Sequence, residues 1–177
     1  MPEAYGGSPV SYAAYLACVR EISAACASTG IIWATTFHAM KPLIDFGTSA
    51  QHGLDPMTIE LIKIRASQIN GCAKCLLMHT RDARENGETE ERIYLLDAWR
   101  DSSLYSDRER AVLAWTEALT RVDETGAPDE AYEMLKMHFS EEEQIKITLV
   151  IAAINCFNRL NVGFRVKHPT VVTQKAA

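Results

Sequence analysis

Two cysteines three residues apart, Cys72 and Cys75, followed by His79 in the stretch "INGCAKCLLMH", are the part of this sequence best suited to chemistry. A Cys-x-x-Cys pair can cycle between dithiol and disulfide, and the thiolate is the reactive form of either sulfur. If the stretch is helical, a turn of ~100° per residue sets Cys75 about 60° from Cys72, with His79 about 20° from Cys72. All three then share one stripe. Cys72 would fall in the first turn, where unpaired N–H groups and the helix dipole favour an anion.

Glu60 supplies a carboxylate for the same stripe. The Asn70-Gly71 pair reads as a break between two helices. If the two arms pack as an antiparallel hairpin about Asn70, positions whose numbers sum to ~139 face each other, and Glu60 meets His79. The expected hydrogen-bond chain is Glu60, His79, Cys75: the carboxylate fixes the imidazole tautomer, and the imidazole takes the thiol proton as a general base. One straight helix through both segments would instead hold Glu60 ~18 Å from Cys72. The dipole favours Cys72 as the more acidic thiol and the hydrogen-bond chain favours Cys75 as the attacker; spacing does not rank them.

The elements that must position these side chains all read as helices. "LDPMTIELIKIRASQI" offers Asp55 as an N-cap and Pro56 at the first helical position, and stays apolar to Ile69. The next helix runs from Cys72 to about Asn86, with Gly87 as its stop. Thr89 caps "EERIYLLDAW", Ser106 with Glu109 and Ser140 with Glu143 form capping boxes, and Pro128 opens "PDEAYEMLKMHF" on an acidic first turn. Residues 16–27 and 38–51 read as further helices. The last helix, "QIKITLVIAAINCFNRLNVGF", is apolar on nearly all sides through Ile154, so it is expected to be central and modestly supports subunit packing. No strand alternation is sustained. The fold class is therefore all-α, a bundle of about seven helices.

Composition narrows the function. A chain of 177 residues with 47% hydrophobic content suits one domain with a real core. A net charge of -5 gives no field to hold a polyanion, so no nucleic acid partner is expected. The N-terminus lacks a basic region ahead of its short apolar run, which reads as neither a signal peptide nor a membrane span. A cytoplasmic location with no membrane partner follows as the expectation, and there a close cysteine pair is catalytic or metal-binding more often than a static staple. Cys18, Cys26 and Cys156 read as packing residues. His38, His52, His138 and His168 lack metal-ligand spacing, Lys63 and Arg65 read as surface charges, and Trp33, Trp99 and Trp115 as core or subunit contacts.

The pattern Glu60, eleven residues, Cys72-x-x-Cys75, three residues, His79 resembles the alkylhydroperoxidase D-like group of the carboxymuconolactone decarboxylase superfamily. So do "ELIKIRASQINGCAKCLLMHTRDARENGETEERIYLLDAWRDS", "YSDRERAVLAWTEALTRV" and "IAAINCFNRLNVGFR", which extend the similarity from about His38 to Arg165. The resemblance implies an all-helical homo-oligomer, a dimer, trimer or hexamer, that reduces organic hydroperoxides or hydrogen peroxide. It implies Cys75 as the attacking thiol, Cys72 as the resolving thiol, and His79 and Glu60 as the proton relay, with no bound cofactor or metal. Its partners would be the peroxide and an external dithiol or lipoyl-type reductant. Members of the group often carry a second histidine between the cysteines, where this chain has Lys74. The group's domain is expected over residues 36–168, with 1–35 an N-terminal extension and 169–177 a tail. Three alternatives stand beside this reading: a zinc site on Cys72, Cys75 and His79, a lactone decarboxylase that needs no cysteine pair, and a non-enzymatic helical oligomer that senses oxidation.

Overall fold

The computed structural model describes residues 40–168. The readings for the helix at 16–27, Cys18, Cys26, Trp33, His38, the extension over 1–35 and the tail over 169–177 lie outside the described residues. The chain divides into two compact units, Met1–Asp45 and Phe46–Ala177, and the candidate site lies wholly in the second. Residues 40–50 are helical. After them come α1 (Pro56–Ile69), α2 (Ala73–Glu85), α3 (Glu90–Leu95) with a 3-10 turn (Leu96–Ala98), α4 (Asp107–Thr120), α5 (Val122–Thr125), α6 (Asp129–His138) and α7 (Glu141–Gly163). No strand occurs among the described residues. The one-turn α5 is too short to show a helical period and was not announced by the sequence, and the stretch "EERIYLLDAW", expected as one helix, ends as α-helix at Leu95 and tightens into the 3-10 turn.

The caps form as the residue types require. Asp55 accepts the Thr58 N–H at 2.8 Å and so satisfies one of α1's unpaired donors. Both capping boxes close, Ser106 with Glu109 on α4 and Ser140 with Glu143 on α7. The break after α1 is a Schellman turn. Gly71 stands at φ +65°, its N–H donates to Gln68 O at 3.2 Å, and the Cys72 N–H donates to Ser67 O at 3.0 Å. This turn folds α2 back along α1.

α1 packs against α2, α4 and α7 and is enclosed nearly all round. Ile62 and Ala66 join Val112, Leu135, Ile147 and Ile151 in one apolar cluster, whereas Leu61 and Ile64 face Leu96, Trp99 and Leu113 in another. A helix with core on both sides must find partners for its charges. Arg65, read from sequence as a surface charge, is buried for this reason: its Nε lies 2.7 Å from Glu117 Oε1, and it also pairs with Asp97. Trp99 Nε1 donates to the same Glu117 oxygen at 2.8 Å. α7 is long and apolar enough to cross a membrane by length and composition. Here it lies against α1, α2, α4 and α6, with Ile147, Val150, Ile151 and Ile154 in the core.

Candidate active site

The turn at Asn70-Gly71 sets the register of the site. It brings Glu60 of α1 against His79 of α2, with Oε2 and Nδ1 2.9 Å apart. Both side chains are only 7% exposed. The Lys63 side chain is 14% exposed rather than fully on the surface, and its Nζ lies 2.8 Å from the other Glu60 oxygen and 2.9 Å from Gln51 Oε1. Asp82 Oδ2 stands 3.6 Å from His79 Nδ1. With Nδ1 taken by carboxylates, the other ring nitrogen is the one left for chemistry.

Burial alone works against charge on either member of this pair. For Glu60 that effect is outweighed by the hydrogen bond and charge of His79, joined by Lys63, so its pKa falls below the ordinary 4.5. For His79 burial is outweighed by the carboxylates of Asp82 and Glu60, against an opposing push from Lys63, so its pKa rises above the ordinary 6.5. The two shifts agree on a carboxylate facing an imidazolium.

Cys72 is the N-cap of α2, and its Sγ accepts the Cys75 N–H at 3.3 Å. The same sulfur is joined to Cys75 Sγ in a disulfide, the two Cα atoms 5.3 Å apart. Both cysteines are 1% exposed. The expected chain from Glu60 through His79 to Cys75 is made in its first link only: among the described residues no hydrogen bond joins His79 to Cys75. The disulfide holds the Cys75 sulfur toward Cys72, one turn back along α2, whereas His79 stands one turn ahead. Asn161 Nδ2 of α7 takes the sulfur instead, at 3.3 Å.

Asn161 belongs to a row that the sequence reading passed over. Asn155, Asn158 and Asn161 recur every three residues along α7 and so share a face. Asn70 Nδ2 donates to Asn155 at 3.0 Å and to Asn158 at 2.9 Å, and Asn158 Nδ2 donates to Ser67 Oγ at 3.0 Å. The row fastens the hairpin turn to α7. Its signal in sequence was the amide periodicity within an otherwise apolar helix.

With the sulfurs joined, the zinc set of Cys72, Cys75 and His79 is not assembled. A different group, Glu60, His79 and Asp82, brings its donor atoms within 4.8 Å of one another. The Lys63 ammonium already on Glu60 opposes a second cation there. Cys156, expected from sequence as a packing residue, is instead a free, exposed thiol on α7. A cleft of about 500 Å³ opens at Cys72, between the start of α2 and the end of α7, with Asn161 also on its wall.

The site residues fall within or beside a recognised sequence family. Residues 36–118 match the model of the carboxymuconolactone decarboxylase family. The YdfG protein of Bacillus subtilis, uncharacterised, is 44% identical over 70% of this chain and 85% of its own. A solved structure from Agrobacterium tumefaciens, of unknown function and a candidate AhpD-type antioxidant defence protein, aligns with a TM-score of 0.72. It is 48% identical over 77% of this chain and 92% of its own. The chain belongs to the carboxymuconolactone decarboxylase family. Its place in that family is on the AhpD-like side, since the alkyl hydroperoxide reductase AhpD of Koribacter versatilis is 42% identical over 32% of this chain and 29% of its own. Residues 1–53 also match the N-terminal domain of acyl-CoA dehydrogenase, a stretch that lies mostly outside the described residues.

Proposed function

We propose that this carboxymuconolactone decarboxylase family member is a thiol-dependent peroxidase that reduces organic hydroperoxides or hydrogen peroxide through Cys72 and Cys75. The observation that carries the reading is the Cys-x-x-Cys disulfide built beside a buried Glu60–His79 ion pair. In the dithiol form the proton shared between Cys75 and His79 rests on His79, whose pKa the carboxylates of Glu60 and Asp82 raise, so Cys75 stands as a thiolate beside an imidazolium. The Cys75 thiolate attacks the O–O bond, which breaks to leave a sulfenic acid on Cys75 and an alkoxide that receives the proton from His79. The Cys72 thiol then displaces hydroxide from the sulfenic acid, giving water and the disulfide. One peroxide and two thiols thus become one alcohol, one water and one disulfide. An external dithiol, lipoyl-type or other, returns the pair to the thiol form by exchange. Such a cycle belongs in a reducing, cytoplasmic compartment.

A count of free thiols by mass spectrometry, before and after one equivalent of cumene hydroperoxide, tests this. The reduced protein is expected to lose two thiols and gain a Cys72–Cys75 link, and Cys75→Ser to form no such link. Thiols in the reduced wild type that persist against the peroxide overturn the reading.

A further inference from the structure

We propose that the disulfide is reset by a small thiol that carries a carboxylate, entering the cleft between the start of α2 and the end of α7 and attacking Cys72. The proposal takes from the peroxidase reading only that the disulfide must be reduced, and it assigns the chemical class of the reductant and the sulfur it meets.

The cleft selects the sulfur. Cys72 lines it and Cys75 does not. The incoming thiolate bonds to Cys72 Sγ, the Cys72–Cys75 bond breaks, and the electron pair leaves on Cys75. That leaving thiolate is received by the Asn161 N–H already 3.3 Å from the sulfur, with the His79 imidazolium one helical turn away on α2. A second thiol of the reductant then displaces Cys72 Sγ, closing its own disulfide, and its two protons end on the two cysteines.

Charge selects the reductant. The chain as a whole carries -5, yet the ionic side chains on the cleft wall are Lys74, Arg165 and Lys167, with no aspartate or glutamate among the lining residues. Among the described residues none of these three forms an ion pair. Arg165 adds a second observation. α7 ends in a Schellman turn, with the Arg165 N–H on Val162 O at 3.2 Å and the Val166 N–H on Asn161 O at 2.9 Å. Arg165 takes the left-handed position at φ +56°, where glycine is the unstrained choice. The chain holds an arginine there at a conformational cost, and the turn carries Val166 and Lys167 onto the same wall. Val162 and Val166 make the apolar part of that wall. The cleft, about 500 Å³, has the size of a small-molecule site. An aliphatic stem with a carboxylate and a thiol matches it in each respect.

Dihydrolipoate and dihydrolipoamide carry the same dithiol on the same stem and differ in a carboxylate against a neutral amide. The test is the second-order rate at which each reduces the Cys72–Cys75 disulfide of the full-length oxidised protein, without peroxide, read by alkylation and mass spectrometry. Dihydrolipoate is expected to be faster by about tenfold at low salt, with the ratio falling toward one at about 0.5 M salt. The ratio is also expected to fall in Arg165→Gln/Lys167→Gln, whose circular dichroism is compared with wild type. Trapping with 3-mercaptopropionate, which cannot cyclise, is expected to leave the mixed disulfide on Cys72. Equal rates, a faster amide, a ratio insensitive to salt, or a mixed disulfide on Cys75 overturns the inference. A charge preference in a protein whose thiols ignore peroxide would sink the peroxidase reading and leave this one standing; peroxide turnover without the preference would do the reverse.

Discussion

His79 offers the sharpest test at the scale of one residue, because its carboxylate partners outweigh its burial and raise its pKa. Its folded pKa lies above the ordinary 6.5, so the stability it contributes is fully present below 6.5 and is lost as pH rises through the folded value. Glu60 is shifted down, so its contribution is present above 4.5 and is lost as pH falls through its own folded value. The oxidised wild type should therefore be most stable between those limits. His79→Gln should lose the alkaline decline specifically, measured by urea midpoints at pH 6 and pH 9; the same decline in both proteins would refute the ion pair. His79→Ala leaves Glu60 buried with Lys63 alone and should cost about 3 kcal/mol, the low end for breaking a buried pair. Glu60→Gln removes the carboxylate that makes His79 a strong base. Peroxide reduction at pH 7 should then slow by about 10²-fold, with stopped-flow thiol oxidation as the measurement and an unchanged rate as the contrary result.

The decisive elements are the ends of helices rather than their lengths. Gly71 has open space around its Cα, so its requirement is the backbone angle alone. Gly71→Ala should cost about 1 kcal/mol from the left-handed penalty, and it should loosen the disulfide's register, since the Cys72 N–H is part of the same turn. Thermal melts of the oxidised and reduced variant check both effects. Asn158 is fully buried and joins Asn70 and Ser67. Asn158→Ala strands these polar partners and should cost about 2 kcal/mol by urea unfolding. A loss well under 1 kcal/mol would mean that the amide row does not fasten the hairpin.

For the whole molecule, the apolar residues left outside the two core clusters matter most. Ile145, Met137 and Phe164 are 62%, 72% and 78% exposed. We read them as contacts of a homo-oligomer, a dimer, trimer or hexamer. Light scattering at micromolar concentration should give a multiple of 19.7 kDa, and a mass equal to the single chain would refute it. Changing Met137 and Phe164 to serine should shift that mass downward if these are the contacts.

The sequence by itself determined what repeats or terminates locally. Caps at Asp55, Ser106 and Ser140, the stop at Gly71 and the stripe of Cys72, Cys75 and His79 depend on residues a few positions apart, so their spacing carries them. Even the Glu60–His79 meeting followed, because a hairpin with equal rise on both arms has one register. Tertiary structure alone decided what depends on a distant helix. Only α7 packed across the hairpin brings Asn161 to the Cys75 sulfur, Asn158 to Ser67, and Arg165 and Lys167 beside Cys72. Only the enclosure of α1 on both faces turns Arg65 from a surface charge into a buried partner of Glu117 and Lys63 into a half-buried partner of Glu60. Spacing along a chain specifies which face of its own helix a side chain occupies; which other helix meets that face is set by how the whole core packs.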